Sequence, residues 1–493
     1  MGSPIVMSGT QAQPEHLPAG SITAPRIVII GGGLAGLAAA VALADRNFHI
    51  TLLEARRQLG GRAGSFRDPA SDAWVDHCQH VSLGCCTNLA DFCRRTGLAE
   101  WLRRDQTLYF FGPDGRRCDV SPSRWLPAPL HLLPSLLQLK YLSLRERLDI
   151  VSALRTLART PAHADPAKLT MGQWLRTAGQ TERAIELFWT PVIVSALSET
   201  VDRAAVPPVR KVFVDTFLAA RGACELQVPS IPLGEFYGQR LEQWLRQHQI
   251  ELRTECPAKQ LIGNAQGVSE VILADGQRLP TEIVVLAAPW RRVDELLSDP
   301  LRAALPQLQQ LAQLESAPIT AVHLWFDRAI THLPHAVLPG RLSQWIFNHG
   351  VQAAAASSAT PPGHYYQIVI SASRELAAQS REAIIAQVQQ DLVSIWPAAA
   401  KAKRLQARLI TQQHAVFAPL VGSDQLRPPQ QTPVPNLFLA GDWTATDWPA
   451  TMEGAVRSGY LAAESVLARL GQHEKILAPD LPRPWLARWL VGS

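Results

Sequence analysis

The chain has 493 residues, of which 47% are hydrophobic, and its 47 Lys and Arg against 42 Asp and Glu give a formal net charge of +5. This length suffices for two or more domains with a large core. The mild charge, with no Lys/Arg block interleaved with aromatics, argues against nucleic acid as a partner. The chain has seven cysteines and no CxxC pair, which argues against a disulfide framework and against a structural zinc site. We therefore expect a reducing compartment and no metal site.

Residues 1–24 are rich in Pro, Gly, Ser and Gln. They lack the charged start and apolar middle of a signal peptide, so we predict a disordered leader. The chain contains no uninterrupted apolar run of about 18 residues, which is the length a membrane-spanning helix needs. A spanning helix is therefore not expected.

A glycine-rich turn follows the first predicted strand. The β-branched run RIVII, Arg26–Ile30, is typical of a buried strand, and GGGLAG comes directly after it. Gly31 permits a tight turn, Gly33 lets a pyrophosphate approach the backbone, and Gly36 lets the following helix pack closely. The free N–H groups at the start of that helix, predicted over 34–45, favour a bound phosphate.

The second predicted strand, HITLLE, ends at Glu54, which lies 54 − 36 = 18 residues beyond Gly36. An acid at this distance can accept hydrogen bonds from ribose hydroxyls. Strand, glycines, helix, strand and acid occur in the order of a dinucleotide-binding unit. Shortly after, LGGRAGS places a turn at Gly60 and Gly61, and Arg62 can neutralise a phosphate.

With Glu54 followed by Gly60-Gly61-Arg62, the chain resembles the FAD-dependent amine oxidase and phytoene desaturase superfamily. The resemblance implies a mixed α/β fold, with a Rossmann-like FAD-binding domain of glutathione-reductase or amine-oxidase type. In this family the glutamate holds the adenosine ribose and the Gly-Gly-Arg loop contacts the pyrophosphate. A substrate domain of mixed sheet and helices interleaves with the FAD-binding domain.

We expect a discontinuous organisation. The FAD-binding domain is assigned 25–90, 229–297 and 425–470, and the substrate or membrane-facing domain 91–228 and 298–424, before a C-terminal amphipathic tail at 471–493. Strands such as IELRTE and EIVVLAAP, with an Asp275-Gly276 turn between them, are expected in the second FAD segment. By resemblance, a hairpin there covers the adenine, and Ala258 stands where the family usually has Val.

Two apolar stretches suggest a lipid environment. Trp125–Leu142 has no acid and one lysine, and its prolines argue against a regular spanning helix. It is either a loop at the bilayer interface, the mouth of a lipid tunnel, or a buried helical hairpin. In the tail, Trp485, Leu486, Trp489 and Leu490 share a helical face beside arginines, which is an interfacial pattern that a tail packed on the body would also show.

The segment NLFLAGDWTATDWPATMEGAVRSGYLAAES, Asn436–Ser465, resembles the last strand of the FAD domain and the helix after it. Asp442 would then hydrogen-bond the ribityl or pyrophosphate region, and Thr451 is a plausible N-cap. The N–H groups near Met452 and Glu453 would stabilise negative charge on the reduced ring. Overall, the predicted cofactor-binding residues are Gly31, Gly33, Leu34, Ala35, Gly36, Glu54, Ala55, Arg56, Gly61, Arg62, Gln79, Val81, Ala258, Gly441, Asp442, Thr451, Met452 and Glu453.

The same segment, with DHCQHVSLGC at Asp76–Cys85, is similar to the squalene-associated FAD-dependent desaturase-like group, the hydroxysqualene dehydroxylases. The resemblance implies reductive removal of an allylic hydroxyl from hydroxysqualene, with hydride from flavin N5, to give squalene for hopanoids. The leaving hydroxyl needs a proton, for which His80 is the first candidate and Asp447 the second. The chain has no second G-x-G for a nicotinamide domain, so the electron donor is unknown.

This resemblance places the protein in the cytoplasm, peripheral on the inner face of the cell membrane, where it could contact upstream enzymes of squalene synthesis. The nearest alternative is a carotenoid or diapocarotenoid desaturase of phytoene type, in which hydride passes from substrate to flavin. An amine oxidase is less favoured, because the family pattern has Tyr where this chain has Thr451, and PITAVHLWF lacks the expected lysine. A non-enzymatic prenyl-lipid or prenyl-protein binding protein on the same fold is the remaining alternative.

Overall fold

A computed structural model describes residues 24–68, 74–160, 168–352 and 363–491. The predicted leader, except for residue 24, lies outside these residues and stays a prediction. The strands within them are β1 Arg26–Ile30, β2 His49–Leu53, β3 Ser65–Arg67, β4 Trp74–Asp76, β5 Ser82–Leu83, β6 Leu102–Asp105, β7 Leu108–Phe111, β8 Arg117–Val120, β9 Leu226–Pro229, β10 Glu251–Arg253, β11 Ala258–Asn264, β12 Gly267–Leu273, β13 Arg278–Pro280, β14 Ile283–Leu286, β15 Ser316–Phe326, β16 His335–Val337, β17 Trp345–Gln352, β18 Gly363–Ser371, β19 Arg404–Phe417 and β20 Leu437–Leu439.

The α-helices of the described residues are α1 Leu34–Leu43, α2 Thr87–Arg95, α3 Leu133–Leu137, α4 Leu144–Arg159, α5 Met171–Thr177, α6 Glu182–Ala184, α7 Thr190–Leu197, α8 Val206–Lys211, α9 Arg240–Gln247, α10 Trp290–Leu296, α11 Asp299–Ala304, α12 Arg381–Ile395, α13 Pro397–Lys401, α14 Met452–Arg469 and α15 Trp485–Val491. Wider π-helical turns occupy Ile185–Trp189, Val212–Leu218 and Gly234–Gln239, and 3-10 turns occupy Leu98–Trp101, Leu130–Leu132, Pro306–Gln313, Ser373–Ala378 and Ser423–Leu426.

A five-stranded parallel sheet, in the order β10-β2-β1-β14-β20, joins three distant parts of the chain. Its central strand β1 pairs with β2 on one side and with β14 on the other. Apolar β-branched residues fill β1 because both faces of a parallel sheet are buried. The predicted mixed α/β fold is confirmed, whereas the domain boundaries assigned from sequence stay a prediction.

A seven-stranded, largely antiparallel sheet, in the order β19-β15-β18-β17-β16-β7-β8, forms the second large layer. Because side chains alternate along a strand, this sheet has two distinct faces. The outer face is largely aliphatic, with a few aromatic residues such as Phe326 and Tyr366, and buried residues of α12 pack on it. The opposite face, here called the inner face, carries Trp325 of β15, Tyr365 of β18 and Phe347 of β17, and packs against the segment 75–83.

A helical layer built from 136–213 has its own apolar core, which includes Trp174, Trp189 and Phe213. The apolar stretch Trp125–Leu142 enters this core through Leu136, Leu139 and Leu142 but contains only short helical turns. Across the described residues, no helix is both long and apolar enough to cross a membrane.

Helices α1 and α14 pack against each other beside the parallel sheet at a distance that only glycine allows. A Cβ on Gly459 of α14 would lie 2.2 Å from the carbonyl oxygen of Ala35 in α1. Normal non-bonded carbon–oxygen contacts are more than 3 Å, so the helix axes could not approach this closely with any larger residue. This contact brings together the first and last parts of the site described next.

Candidate functional site

The glycine turn after β1 has the geometry predicted for a phosphate-binding turn. Gly31 has φ of 114°, and a Cβ there would lie 2.6 Å from the carbonyl oxygen of Ala287. A Cβ on Gly36 would lie 2.0 Å from the carbonyl oxygen of Gly31. Both glycines are therefore required by the fold, and they hold the start of α1 against the carboxyl end of β1.

The N-terminus of α1 is open to an anion. Its N-cap residue, Gly33, offers no side-chain cap, and the first turn contains no acidic residue. A Cβ on Gly33 would meet only the Cα of Gly61, at 3.9 Å, so there is space directly in front of the helix end. Free N–H groups and the positive end of the helix dipole make this space suitable for a pyrophosphate.

Glu54 lies at the end of β2, and its buried carboxylate is held in place by two backbone groups. Oε2 accepts a hydrogen bond from the N–H of Gly32 at 2.7 Å, and Oε1 accepts one from the N–H of Arg56 at 2.8 Å. Each carboxylate oxygen retains a lone pair for a further donor. The carboxylate is thus fixed beside the glycine turn, where the prediction places a ribose.

The predicted adenine cover lies next to this acid. The backbone N–H of Cys256 donates to the carbonyl of Glu54 at 2.9 Å, and that of Glu255 donates to the carbonyl of Arg56 at 3.1 Å. The β11–β12 hairpin starts directly after this segment, with Ala258 half-buried at its first position. The structure therefore brings Glu54, Ala55, Arg56 and Ala258 to one edge of the parallel sheet.

An ion pair joins the two predicted halves of the site. The Nη2 atom of Arg62 lies 2.5 Å from Oδ1 of Asp442, whose side chain is buried, and Nη1 donates to the carbonyl of Ala415 at 2.9 Å. Asp442 follows Gly441, which has φ of 151° and whose N–H donates to Oγ of Ser458 at 2.8 Å. The Gly-Gly-Arg loop and the Gly-Asp turn therefore meet at one place.

Arg427 organises the turn after Asp442, and sequence reasoning missed it. Its buried guanidinium donates to the carbonyls of Thr444 at 2.6 Å and Trp448 at 2.7 Å, and to the carbonyl of Asp442 at 3.2 Å. These three carbonyls belong to one irregular segment that has no sheet or helix to pair with. It also pairs with Oδ1 of Asp424 at 2.9 Å. No sequence pattern marks Arg427, because most of its partners are backbone carbonyls that the fold brings to it.

The helix that follows, α14, begins as predicted. Oγ1 of Thr451 accepts a hydrogen bond from the N–H of Gly454 at 3.1 Å, which makes Thr451 the N-cap. Met452 is half-buried and receives a hydrogen bond on its sulfur from the hydroxyl of Tyr237 at 3.6 Å. The backbone N–H groups at this end remain the predicted stabilisers of a negative ring.

The side chain of Glu453 has a structural role that sequence reasoning missed. It is fully buried, and its carboxylate accepts hydrogen bonds from the N–H groups of Asn88 and Leu89, at 3.2 and 2.8 Å, in the first turn of α2. Burial raises the pKa of this carboxyl, partly offset by these bonds. The side chain of Glu453 therefore fixes α2 to α14, while the cofactor contact of its backbone N–H stays a prediction.

The segment Gln79–Val81, predicted to lie near the flavin ring, connects β4 to β5. His80 is half-buried, its Nδ1 lies 2.9 Å from the carbonyl oxygen of Cys78, and burial lowers its pKa. A neutral imidazole is a poor acid, so His80 is less suited to donate a proton than expected. Gln79 is buried and donates to the carbonyl of His80 at 3.1 Å.

The second predicted proton donor lies at the surface. Asp447 is exposed and has φ of 58°, so it occupies the outer corner of the turn that Arg427 holds. An exposed carboxylate is poorly placed to give a proton to a leaving hydroxyl in an enclosed site, so the position of Asp447 does not favour this assignment, which stays a prediction. Sequence reasoning did not single out Asp76, which is buried at the end of β4. Burial raises the pKa of its carboxyl to about 6.

Taken together, the parallel sheet, the glycine turn, the buried Glu54 beside it and the second helix N-terminus are the parts of a dinucleotide-binding flavoprotein. The model of the flavin-containing amine oxidoreductase family matches residues 34–467 of the chain. The chain belongs to this family and binds FAD.

The chain is similar over most of its length to curated carotene desaturases. Zeta-carotene desaturase of Synechocystis sp. is 25% identical over 477 residues, covering 90% of this chain and 97% of the relative. 15-cis-Phytoene desaturase of Solanum lycopersicum is 25% identical over 453 residues, covering 90% of this chain and 77% of the relative.

Solved structures share the fold. An oxidoreductase from Methanosarcina mazei is 16% identical, with a TM-score of 0.68 over 90% of this chain and 100% of the other. Cyclohexylamine oxidase from Brevibacterium oxydans is 17% identical, with a TM-score of 0.64 over 91% of this chain and 100% of the other.

Proposed function

We propose that the protein transfers hydride between FAD and a carbon of a long apolar isoprenoid. One observation carries the proposal: the inner face of the seven-stranded sheet, with Trp325, Phe347 and the half-buried Trp345, packs against the segment 75–83 beside the cofactor site. An aromatic wall suits an uncharged hydrocarbon chain and excludes water. Bound FAD supplies the hydride acceptor or donor at ring atom N5.

The protein's own residues prepare the site for this chemistry. The open N-terminus of α1 and Glu54 hold the nucleotide end, and the Arg62–Asp442 pair holds the junction with the ring end. The N–H groups at the start of α14 face the position where negative charge develops on a reduced ring, which favours hydride acceptance. Arg427 keeps the turn between these parts in one conformation.

Two reactions are candidates on this site. The named relatives are desaturases of phytoene and zeta-carotene, and they support oxidative desaturation better than dehydroxylation. Removal of an allylic hydroxyl from hydroxysqualene is favoured by a specific observation, the similarity of Gly441–Glu464 to hydroxysqualene dehydroxylases. The absence of a lysine in PITAVHLWF and the presence of Thr451 before Met-Glu-Gly disfavour amine oxidation.

An anaerobic product assay tests the proposal. We expect oxidised, FAD-loaded protein to convert phytoene or zeta-carotene to a more unsaturated product, or dithionite-reduced protein to convert hydroxysqualene to squalene. Putrescine and cyclohexylamine serve as controls. Neither amine should give an aldehyde or a ketone, and neither should reduce the flavin. Turnover of an amine in the absence of turnover of any isoprenoid would refute the proposal.

We also propose that the protein rests on a membrane surface on the cytoplasmic side. Three tryptophans are strongly exposed: Trp125 at 92%, Trp485 at 72% and Trp489 at 74%. Helix α15, which carries two of them, is fixed to the body by the ion pair of Arg483 with Asp215, at 2.5 Å. It packs on α4, and Leu144 and Leu148 of that helix are also exposed. Exposed tryptophan and leucine side chains of this kind are typical of interfacial anchors.

Replacing Trp125, Trp485 and Trp489 together by serine should therefore reduce vesicle binding about tenfold or more, because each indole contributes apolar area at the interface. The measurement is flotation of the full chain with phosphatidylcholine–phosphatidylglycerol vesicles. A control variant carrying Val393→Ser and Val421→Ser removes exposed apolar groups elsewhere and should float like the wild type. Equal flotation of all three proteins would contradict the proposal that these tryptophans bind a membrane surface.

A further inference from the structure

An open cleft of about 650 Å³ lies between the start of α4 and the segment 179–183, and it is called the α4 cleft. Its volume is in the range of sites for small ligands, about 300–1,000 Å³. Its lining includes the buried residues Tyr141 and Leu142 and the exposed residues Lys140, Arg145 and Arg183. None of the residues that line it is among those predicted to bind FAD, so the α4 cleft is a separate feature of the molecule.

Hydrogen bonds fix the two walls of the α4 cleft relative to each other. Oε1 of Glu146 accepts a hydrogen bond from the hydroxyl of Thr181 at 2.9 Å, and Oε2 accepts one from the N–H of Ser143 at 2.8 Å. Nε2 of Gln180 donates to the carbonyl of Asp149 at 2.9 Å. The segment 179–183 is therefore tied to the first turns of α4, and the space between them is a built cleft.

The cationic groups of the α4 cleft retain free hydrogen-bond donors. The guanidinium of Arg183 donates to the carbonyl of Tyr141 at 2.6 Å, which holds it at the cleft and leaves further N–H groups available. Arg145 has an acidic neighbour, Asp149, but at 3.9 Å the two groups are too far apart for a hydrogen bond. Lys140 forms no ion pair within the part of the chain that the structure describes. An anion in the cleft would thus find two guanidinium groups and one ammonium group.

The acidic residues of the α4 cleft do not cancel this positive charge. Both carboxylate oxygens of Glu146 already accept hydrogen bonds, and Asp149 is half-buried near Arg145. The surrounding segment 124–159 contains six Lys and Arg against two Asp and Glu, so it carries +4 of the net charge of +5 of the whole chain. Charge concentrated in this way favours an anionic partner.

Exposed leucines beside the α4 cleft indicate which anion it meets. Leu144 is 62% exposed and Leu148 is 55% exposed, and they directly precede Arg145 and Asp149 on α4. At a membrane surface, apolar side chains enter the acyl region while neighbouring cations stay at the depth of the phosphates. A small phosphate dissolved in water would leave these leucines in water. The arrangement therefore favours a lipid over a soluble anion.

We infer that the α4 cleft binds the phosphate headgroup of an anionic phospholipid. The inference rests on the membrane association proposed above and adds the class of lipid that the protein selects. A phosphate diester has two unesterified oxygens that share one negative charge, and a guanidinium such as that of Arg183 or Arg145 can bind both. Lys140 adds a point charge. A choline headgroup is disfavoured, because its own cation would face the same three cations.

Flotation with vesicles of two compositions tests the inference. Full-length, FAD-loaded protein is mixed at constant ionic strength with phosphatidylcholine vesicles that contain or lack phosphatidylglycerol. We expect the wild type to bind the anionic vesicles about tenfold more tightly or better. Lys140→Gln with Arg145→Gln should remove most of this preference. Both residues are exposed, so urea denaturation of this double variant should match that of the wild type.

Arg155→Gln with Arg159→Gln is the matched control. It removes the same charge from exposed positions of the same helix that do not line the α4 cleft, and its preference should fall by no more than about threefold. Equal losses in the two double variants would show general attraction without a site. That result, or a wild type without preference for phosphatidylglycerol, would overturn the inference while membrane binding through the tryptophans stands. Failure to float with any vesicle would overturn both proposals.

Calorimetric titration separates a lipid headgroup from a free phosphate. The protein is titrated with soluble dihexanoylphosphatidylglycerol and, separately, with inorganic phosphate. We expect the short lipid to bind about tenfold more tightly than phosphate, because its chains also contact the exposed leucines. The double variant of Lys140 and Arg145 should weaken its binding, and the double variant of Arg155 and Arg159 should not. Inorganic phosphate that bound the cleft as tightly as the lipid would overturn the assignment to a phospholipid.

Discussion

Replacing Gly36 by alanine should yield protein that retains no FAD and is less stable than the wild type by about 3 kcal/mol, at the upper end of overpacking effects. The added Cβ would lie 2.0 Å from the carbonyl oxygen of Gly31, a backbone atom of the same phosphate-binding turn. Since neither atom can rotate away, α1 must move and the turn must open. The measurements are the flavin absorbance of purified protein and urea denaturation.

Gly238→Ala is the matched control for this prediction. Gly238 is also buried in a helical segment, but a Cβ there would meet no atom within 4 Å. We expect it to retain FAD and to change stability by no more than about 1 kcal/mol, the intrinsic helix preference for alanine. If Gly36→Ala also kept its flavin and its stability, the close contact between helix and turn would not be required.

Replacing Arg427 by methionine should destabilise the protein by about 3 kcal/mol and reduce its FAD occupancy. Methionine fills much of the same volume but leaves the carbonyls of Thr444 and Trp448 without their donor, and each unpaired buried carbonyl costs about 1–3 kcal/mol. The turn that places Asp442 beside Arg62 then loses its fixed conformation. Urea denaturation and the ratio of flavin to protein absorbance report the two effects.

An exposed arginine, Arg292, provides the control for the Arg427 substitution. Arg292 forms an ion pair with Glu295 at 2.7 Å, and both side chains are more than 60% exposed. Surface pairs of this kind contribute no more than about 1 kcal/mol, so Arg292→Met should change neither stability nor flavin content appreciably. Arg427→Lys should lie between the two, because one ammonium cannot reach all the carbonyls. Indistinguishable stabilities for Arg427→Met and Arg292→Met would contradict the organising role.

The parts of the site that depend on residues close together in the sequence could be predicted from the sequence alone. The strand Arg26–Ile30 and the Thr451 N-cap have the expected positions, and the helix predicted over 34–45 is found at Leu34–Leu43. Strand runs, helical segments and caps act over a few residues and can therefore be predicted locally. The glycine spacing predicted the phosphate-binding turn for the same reason. The family match then supports FAD independently of these rules.

The side-chain roles that sequence reasoning missed depend on distant partners. Arg427 binds carbonyls 15 to 21 positions away, and Glu453 binds the start of α2, 364 or 365 positions away. Asp447, the second candidate proton donor, is exposed because the turn directs it outward. The rings of Trp325, Tyr365 and His349 stack across three strands, so no local pattern could reveal their contact.

The central claim is that the glycine turn and the Gly-Asp turn hold one FAD molecule between them. Calorimetric titration of apoprotein with FAD tests it most directly, using wild type, Glu54→Gln and Asp442→Asn. We predict one FAD per chain and at least about tenfold weaker binding in each variant, since each removes a charged hydrogen-bonding group. Folded apoprotein that takes up no FAD, or a variant in either half that binds it as tightly as the wild type, would contradict the account.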